Sequence, residues 1–398
     1  MAASENTGAL RGLRVVEMGQ LIAGPFCGQL LGDMGAEVVK IEPPGKGDPM
    51  REWGRGEHPL WWEVIARNKK SVSADLRTSD GRDLARRLIE RADILIENFR
   101  PGTLEGWDLA PEQLLAANPR LIVVRVSGYG QTGPYAKRAG YGGIGEAMGG
   151  WRHVVGEPDR PPSRMGISIG DTLAASYACT GALAALRHRD QTGQGQVVDS
   201  AIYEAVLQVM ESLVPDYSVM GYVRERSGSI LPGLAPSNVY RCVDGDLLIA
   251  ANQDTVFRRL CQAMARPELA QDARYATHTA RGEHQTELDA LIGAWTSTRT
   301  VDDLEALFEA SGVPSGRIFR APEMLADPQF AAREAIVEMP HPTWGSIKMQ
   351  NVFPKLSATP GAVRTPAPLT PGQDNAEVYG ALGVTAAQME DLRARGVI

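Results

Sequence analysis

The chain lacks most of the features that quickly assign a protein to a class. Its 398 residues contain only four cysteines, and none forms a CxxC pair, which argues against a zinc site and a disulfide framework. No apolar run reaches the ~18 residues needed to cross a bilayer, and the first residues lack the apolar core of a signal peptide. The net charge is −7 and no basic cluster occurs. We therefore expect a cytoplasmic protein with neither a membrane nor a nucleic-acid partner.

Motifs of several enzyme classes are missing as well. The sequence contains no P-loop, no HExxH and no GxSxG, and its histidines show no HxH or HxxxH spacing, so no metal site is predicted. The segment GYGQTG, Gly128–Gly133, matches the GxGxxG pattern of dinucleotide-binding loops. Pro134 follows it and no helix is predicted there, whereas a dinucleotide site needs that helix. The pattern therefore does not favour a nicotinamide or flavin site.

What the sequence does contain is an alternation of short apolar runs and helical segments. Strands are predicted at 13–19, 36–42, 71–76, 93–99, 120–128 and 196–200. Helices are predicted at 24–35, 79–92, 171–186 and 201–212. Such runs are typical of a mostly parallel sheet covered on both faces, a doubly wound α/β fold. Ligands then bind beyond the carboxyl ends of the strands, which is where GQLIAG, ENFRPG and SGYGQTG fall.

The second half of the chain has a different texture. The polar stretch after Met220 holds Gly and Pro and shows no periodicity, which predicts a linker. A strand at 246–251 then precedes helices, which predicts a smaller α/β unit. These helices are predicted to begin near Asp254, Gln285 and Val301. From about Pro322 the chain is irregular and proline-rich, and it ends with a helix capped by Thr385.

One acid stands alone in a run of small residues. In GISIGDTLAASYACTGALAAL, Gly166–Leu186, Asp171 opens a helix built mostly from Gly, Ala and Ser. Asp is a favoured helix cap, so capping is one interpretation. The other is a nucleophile on a rigid element in tight quarters. A second ambiguous segment, RNKKS at 67–71, is either a solvated turn or a site for anionic phosphates.

Four further segments carry a family resemblance. They are LRVVEMGQLIAGPFCGQLLGDMGAEVVKIEPPGKGD at 13–48, RNKKSVSADLR at 67–77, ADILIENFRPG at 92–102 and SGYGQTGPYAKRAGY at 127–141. With them, the chain resembles the class III CoA-transferases, the family of formyl-CoA transferase and carnitine CoA-transferase, along essentially its whole length. The Gly166–Leu186 segment falls where that family carries its catalytic aspartate.

The resemblance implies an activity and a mechanism. Enzymes of this family move CoA from an acyl-CoA donor to an acceptor carboxylate. Asp171 would attack the donor thioester to form a mixed anhydride, and an aspartyl-CoA thioester would follow. Small neighbours such as Gly166, Gly170, Ala174 and Ala175 would leave room for the thioester, and backbone N–H groups would stabilise the oxyanion. No metal, redox group or permanently bound cofactor is expected, because the CoA thioester is the substrate.

The resemblance also implies residues around CoA. Gln20 and Leu21, after the first strand, are expected beside the reacting thioester. Lys40 is expected at a phosphate, and Lys69 or Lys70 near the adenine end. The other expected contacts are Asn98, Phe99, Arg100, Lys137 and Tyr141. For the last two, a solvated loop lysine and a core tyrosine are the ordinary alternatives.

Departures from the family pattern bear on the acceptor. Many relatives read GYDxxxQAxGG where this chain reads GYGGIGEAMGG, so that Gly142 replaces Asp and Glu146 replaces Gln. The region comparable to a glycine-rich lid reads GSILPGLAPSN, without a glycine run. These segments resemble the branch that uses succinyl-CoA with malate, citramalate, mesaconate or itaconate. A distal carboxylate needs a cation, for which Arg164 is the first candidate and Arg152 the next. A solvated Arg164 is the ordinary alternative, and Glu146 is also expected at the substrate.

By resemblance, the large domain is built from both chain ends. We expect residues 1–215 and 322–398 to form this Rossmann-like domain, 216–240 a linker and 241–321 the small α/β domain. Two such chains are expected to thread through each other as an interlocked homodimer.

Other functions compete with CoA transfer to a small carboxylic acid. Racemases of α-methylacyl-CoA share the N-terminal motifs and abstract the α-proton with a His/Asp pair, for which His153 is the residue to test. An intramolecular CoA transfer within an unsaturated dicarboxylate is a neighbouring alternative. A non-catalytic CoA-binding protein is disfavoured by the intact Asp171 segment.

Overall fold

The computed structural model describes residues 6–56 and 59–398. The strands of these residues are β1 Arg14–Glu17, β2 Glu37–Glu42, β3 Lys69–Ser73, β4 Ile94–Glu97, β5 Ile122–Ser127, β6 Val197–Ala201, β7 Ser237–Arg241, β8 Asp246–Ala250, β9 Ser315–Arg317, β10 Ile336–His341 and β11 Gly345–Gln350. Their helices are α1 Ala23–Asp33, α2 Trp61–Ile65, α3 Ser79–Ile89, α4 Thr103–Gly106, α5 Pro111–Ala117, α6 Gly142–Met148, α7 Trp151–Val154, α8 Ile169–Thr192, α9 Ile202–Leu207, α10 Leu213–Met220, α11 Asp254–Ala263, α12 His278–Glu283, α13 Gln285–Thr296, α14 Val301–Ser311, α15 Ala321–Ala326, α16 Pro328–Ala332, α17 Asn375–Ala381 and α18 Ala386–Ala394. Within this described part, no helix combines the length and apolar character that a membrane span requires.

The chain divides into two compact units. The first contains the chain up to Trp151, then Met165–Leu213 and Ala331–Ile398. The second contains Arg152–Arg164 and Val214–Phe330. The first unit is thus assembled from both ends of the chain. Residues 152–164 lie in the second unit, whereas the expected domain bounds include them in the first.

The first unit is built on a six-stranded sheet with the order β3-β2-β1-β4-β5-β6. Every neighbouring pair is parallel, with Arg14 opposite Glu37 where β1 meets β2 and Val15 opposite Ile94 where β1 meets β4. This arrangement confirms the parallel sheet predicted from the apolar runs. The strand order reverses between β1 and β4, and in such sheets ligands bind beyond the carboxyl ends of the strands at that point.

Alternate side chains of the central strands enter two separate cores. Val16 and Leu95 pack in one core with α3, α5, α17 and α18. Val15 and Ile94 pack in the other with α1, α8 and α9. Because both faces are covered, the strands appear in the sequence as unbroken apolar runs. Helices α17 and α18 come from the end of the chain, so the first core needs both termini.

The small residues of α8 are explained by packing. Ala174, Ala175, Ala178 and Ala182 are completely buried in the core that α8 shares with α1 and the sheet. At Gly181 a Cβ would lie only 2.7 Å from a methyl group of β6. Alanine and glycine therefore let this helix approach the sheet closely. Contrary to expectation, Ala174 and Ala175 fill the core and do not leave room for a thioester.

The second unit has its own core. Strands β7, β8 and β9 form an antiparallel sheet in that order. Buried residues of α11, α13 and α14 pack against it, among them Phe257, Leu288 and Leu304. The predicted starts of these three helices are confirmed. Strand β7 and part of α10, in contrast, lie inside the predicted linker, because only Tyr240 of β7 is deeply buried and the strand shows no alternation.

Other differences arise at short or glycine-rich elements. The predicted helix at 201–212 is shorter, since α9 ends at Leu207. Helix α6 was not predicted, because three of its seven residues are glycine, which disfavours isolated helices. The last helix is confirmed, and the Thr385 side chain accepts a hydrogen bond from the Gln388 N–H as predicted for a cap.

Candidate active site

The loops after β1, β4 and β5 leave the same edge of the sheet, because all three strands are parallel. Helix α8 also begins at this edge, since it returns the chain to the start of β6, which is parallel to β5. Asp171 and the segments GQLIAG, ENFRPG and SGYGQTG are therefore placed at one edge. No helix follows GYGQTG directly, because α6 begins only at Gly142. This agrees with the argument against a dinucleotide loop.

Asp171 is the third residue of α8. The N-cap is Ser168, whose side chain makes no capping hydrogen bond, so Asp171 is not the cap. Its half-buried carboxylate lies against α6, because a Cβ built on Gly142 would be 2.1 Å from Asp171 Oδ2 and 2.7 Å from Cγ. No side chain fits at position 142 while the carboxylate is in this place. Gly142 therefore allows the observed position of the Asp171 carboxylate.

Helix α6 approaches its neighbours through glycines. At Gly145 a Cβ would lie 2.5 Å from Ile202 Cγ2, and at Gly149 it would lie 2.6 Å from the Val206 side chain. The buried Glu146 side chain lies on the same helix, and its Oε1 is 3.5 Å from the backbone N of Gly170. Because Gly170 precedes Asp171, Glu146 lies beside the first turn of α8.

The turn after β1 is held by side chains from other elements. Asn98, which follows β4, accepts from the Gln20 N–H and donates to the Gln20 carbonyl, both at 2.8 Å. Asp48 Oδ1 accepts from the Leu21 N–H at 3.1 Å. Leu21 has a φ of +63°, in the left-handed region that costs a non-glycine residue about 1–2 kcal/mol. Asn98 thus joins the two loops at the point where the strand order reverses.

Lys40 lies beneath this turn and is 1% exposed. Its Nζ is 2.9 Å from Glu17 Oε1, 2.8 Å from Asp48 Oδ2 and 2.7 Å from the Gly19 carbonyl oxygen. Burial alone would lower the pKa of Lys40, but the two carboxylates outweigh burial and raise that pKa. The ammonium thus already has two hydrogen-bond acceptors and a second carboxylate within 2.9 Å. The structure therefore does not support the expectation that Lys40 binds a phosphate.

Lys69 and Lys70 open β3, at the amino edge of the sheet. Lys69 Nζ is buried and lies 2.7 Å from Glu17 Oε2. Burial lowers the pKa of Lys69, and Glu17 offsets this only in part. Lys70 Nζ is 2.8 Å from Glu37 Oε1 and 2.7 Å from Glu377 Oε1. Lys70 lies at the amino edge of the sheet, opposite the edge that holds Asp171, and Lys69 is buried beside Glu17. The structure therefore supports neither lysine as a contact of the adenine end of CoA.

The remaining CoA candidates of this unit differ in exposure. Phe99 is half-buried, with its ring edge-on to Trp107 at a centroid distance of 5.0 Å. Arg100 and Lys137 are exposed, and Tyr141, the N-cap of α6, is 71% exposed. Tyr141 is therefore not a core residue. The side chains of Arg100, Lys137 and Tyr141 are all accessible to a ligand.

Arg152, His153 and Arg164 belong to the second unit. Within that unit, Arg226 Nη1 donates to the His153 carbonyl at 3.0 Å. His153 Nε2 lies 3.2 Å from Glu225 Oε2. Side chains from 225–226 thus tie down the segment 152–164.

The segment GSILPGLAPSN, 228–238, is fastened to α13 in the same unit. Gly233 N–H donates to Gln285 Oε1 and Gln285 Nε2 donates to the Leu231 carbonyl, both at 3.2 Å. A Cβ on Gly282 would lie 2.5 Å from the Gly233 carbonyl oxygen. The middle of the segment is therefore docked on neighbouring helices.

Three residues of the site were missed by sequence reasoning. In the sequence, Gly142 stands out only as a departure from the family pattern, and Glu17 and Asp48 carry no signal of their own, although both lie in the segment 13–48. Their contacts join positions far apart in the chain, which no local pattern reveals. Among residues 6–56 and 59–398, no three His, Cys, Asp or Glu side chains form a group able to hold a metal ion.

Comparisons with known proteins identify relatives over most of the chain. The profile of CoA-transferase family III matches residues 10–375. A succinyl-CoA–D-citramalate CoA-transferase of Chloroflexus aurantiacus is 58% identical over 391 residues, 97% of each chain. A succinyl-CoA:mesaconate CoA-transferase of Haloarcula hispanica is 36% identical over 84% of this chain and 86% of that one. A crystal structure of a CaiB/BaiF family protein from Brucella suis has a TM-score of 0.84 at 35% identity, covering 94% of this chain and 99% of that one.

The extent of these matches leaves little of the chain outside the comparison. The profile covers the sheet, α8 with Asp171, and the whole second unit. The resemblance inferred from the motifs is confirmed, and the protein belongs to CoA-transferase family III.

Proposed function

We propose that the protein transfers CoA from succinyl-CoA to a C4 or C5 dicarboxylate, with Asp171 as the nucleophile. The observation that carries the proposal is the Asp171 carboxylate, placed at the carboxyl edge of the sheet against Gly142, in a member of this family. Succinyl-CoA as donor is supported by the names of the relatives, which act on D-citramalate and mesaconate. D-Citramalate is the first acceptor to test, because that relative is 58% identical.

The chemistry proceeds through carboxylate attack. Partial burial removes some of the hydration that makes a carboxylate a weak nucleophile. An Asp171 oxygen attacks the thioester carbonyl carbon, the C–S bond breaks, and CoA thiolate leaves a succinyl-aspartyl anhydride. The thiolate then attacks the aspartyl carbonyl carbon and releases succinate, which leaves an aspartyl-CoA thioester. The acceptor carboxylate attacks the carbonyl carbon of this thioester and displaces the CoA thiolate, which forms a second anhydride, between Asp171 and the acceptor. The thiolate attacks the acceptor carbonyl and regenerates Asp171, with no net change in protons or electrons.

The proposed CoA site lies at the reversal of strand order. The Gln20–Leu21 turn would face the thioester, and Asn98 would orient that turn through its two hydrogen bonds. Arg100, Lys137 and Tyr141 are exposed and would contact the nucleotide or the pantetheine arm. Phe99, whose ring packs edge-on against Trp107, would contribute an apolar contact to the same CoA site.

For the acceptor, we propose that Arg164 pairs with the distal carboxylate, with Arg152 second and Glu146 beside Asp171. A guanidinium binds a carboxylate through two parallel hydrogen bonds. The Arg164→Ala enzyme should raise KM for D-citramalate about ten-fold or more, with KM for succinyl-CoA less affected. Arg160 lies four residues away in the same segment and is exposed, so Arg160→Ala is the matched control. An unchanged KM in Arg164→Ala would exclude this role.

We further propose a cytoplasmic, interlocked homodimer. Tyr217, Val219 and Met220 of α10 are 62%, 83% and 69% exposed, an apolar surface that a second copy would cover. Light scattering coupled to gel filtration should give twice the 42.9 kDa chain mass. A monomer at assay concentration would contradict the dimer.

The decisive experiment is mass spectrometry of succinyl-CoA mixed with a panel of carboxylic acids. Wild-type enzyme should form the acceptor's CoA ester, and Asp171→Asn should lose at least about 10³-fold in rate. Equal rates in the two enzymes would remove Asp171 as nucleophile. If no acid gives a product, α-proton exchange on an acyl-CoA, with and without His153→Ala, tests the isomerase alternative.

A further inference from the structure

Two consecutive peptide units in the turn after β1 are held entirely by side chains. In the unit that joins Gly19 to Gln20, the carbonyl accepts from Lys40 Nζ at 2.7 Å and the N–H donates to Asn98 Oδ1 at 2.8 Å. In the next unit, the carbonyl accepts from Asn98 Nδ2 at 2.8 Å and the N–H donates to Asp48 Oδ1 at 3.1 Å. All four backbone groups are thus satisfied without a helix or a strand ladder.

Stability alone does not account for this arrangement. Lys40 and Asp48 are each 1% exposed, and a buried ion pair is often no more stabilising than apolar residues of the same volume. Leu21 adds an unfavourable left-handed conformation in the same turn. A buried ion pair and a strained residue therefore meet at the turn beside the reversal of strand order, where ligands bind in such sheets.

We propose that Lys40 and Asp48 are positioning residues of the transfer reaction, which fix the Gln20–Leu21 turn beside the acyl-CoA thioester. The inference rests on the proposed function for the place of the thioester. Lys40 acts through the Gly19 carbonyl and through Asp48, and it touches no substrate itself. A turn that is already fixed loses little further freedom when the thioester is aligned with Asp171.

The test needs a variant that keeps the buried charge balanced. The double variant Lys40→Met/Asp48→Asn removes one cation and one anion, leaves the Glu17–Lys69 pair intact and frees the Gly19 carbonyl. The matched control is Arg189→Met/Asp93→Asn, because Arg189 Nη1 and Asp93 Oδ1 form an ion pair of 2.7 Å at the amino edge of the same sheet. Both variants should lower the melting temperature.

Only the first variant should change the turn and the reaction. We expect amide hydrogen exchange in a peptide covering 18–23 to accelerate about ten-fold or more, and kcat/KM for succinyl-CoA to fall about ten-fold or more, with KM for the acceptor within two-fold. The control should match the wild type in both measurements. A kcat/KM within two-fold of wild type, or unchanged exchange, would overturn the proposal.

Two further measurements keep the proposal testable. If the double variant does not fold, Asp48→Asn keeps the shape of the side chain and should give smaller changes in the same direction. In the wild type, the Gln20 and Leu21 amides should exchange as slowly as those of β1. Fast exchange of these two amides would overturn the proposal. A wild type that transfers no CoA would refute the proposed function while leaving the exchange result intact.

Discussion

The two halves of the candidate active site are held in place by opposite means. The Gly19–Leu21 turn is fixed by long, buried polar side chains from β2, the loop after it and the end of β4. The Asp171 carboxylate is placed by missing side chains, since Gly142 gives it room and Gly145 lets α6 approach α9. The hold of Lys40 and Asp48 on the turn depends on charge and therefore on pH, whereas a glycine contact depends only on volume. Variants that change one property and spare the other separate the two devices.

The largest effect on the glycine side is expected from Gly142→Ala. The new Cβ would occupy the space of Asp171 Oδ2, 2.1 Å away, so the carboxylate must move. A displacement of about 1 Å at a reacting group can cost about 10²-fold in rate, and we expect a loss of that size in kcat. At Gly106 a Cβ would meet nothing within 4 Å, so Gly106→Ala is the control for steady-state kinetics. Equal kcat in the two variants would show that Gly142 does not position the proposed nucleophile, Asp171.

A mainly structural effect is expected from Gly145→Ala. Its Cβ would lie 2.5 Å from Ile202 Cγ2, so α6 and α9 must separate. Overpacking of this kind costs about 1–3 kcal/mol in the free energy of unfolding. Urea denaturation measures that loss. The reduction in kcat should be smaller than for Gly142→Ala, and the reverse order would contradict the division of roles.

The polar side should respond to acid. Burial alone would raise the pKa values of Asp48 and Glu42, but Lys40 and Arg51 lower them overall. A carboxyl group with a lowered folded-state pKa contributes stability above its unfolded value near 4 and loses it as the pH falls through the folded value. The unfolding free energy of the wild type should therefore fall below about pH 4, and less steeply in Asp48→Asn. Parallel pH curves for the two proteins would count against this contribution.

The smallest effect is expected from Lys70→Ala. Lys70 is partly exposed and pairs with Glu37 and Glu377 at the amino edge of the sheet. Exposed ion pairs contribute about 0–1 kcal/mol, so the melting temperature should barely change. Because Lys70 lies at the amino edge of the sheet and Asp171 at the carboxyl edge, KM for succinyl-CoA should stay within about two-fold of the wild type. A clear rise in KM would restore the expectation that Lys70 contacts CoA.

The sheet was predictable because each strand is buried on both faces. Val15 and Val16 point into different cores, yet both are apolar, so a local run is enough to identify the strand. Helix α11 was equally clear from its amphipathic pattern. Strand β7 and helix α6 were missed because one lacks alternation and the other is rich in glycine. Neither element carries a local pattern that identifies it.

The same contrast applies to charge. The identity of a residue as lysine does not show whether its ammonium group is exposed to water or paired with a carboxylate. Lys40 and Lys137 are alike in sequence, but Lys40 is enclosed by Glu17, Asp48 and the Gly19 carbonyl, while Lys137 is exposed. Burial and partner are properties of residues brought together from distant positions. No spacing rule could have separated these two roles.

By itself, the sequence determined the parallel α/β sheet, the family and the place of Asp171 at the start of a helix, because strand runs and motifs are local. Only the tertiary structure decided that Asp171 does not cap its helix, that Gly142 makes room for its carboxylate, and that Lys40 and Asp48 hold a turn. These contacts join residues about 20 or more positions apart, and they depend on distances of a few ångströms that arise only when the chain is folded.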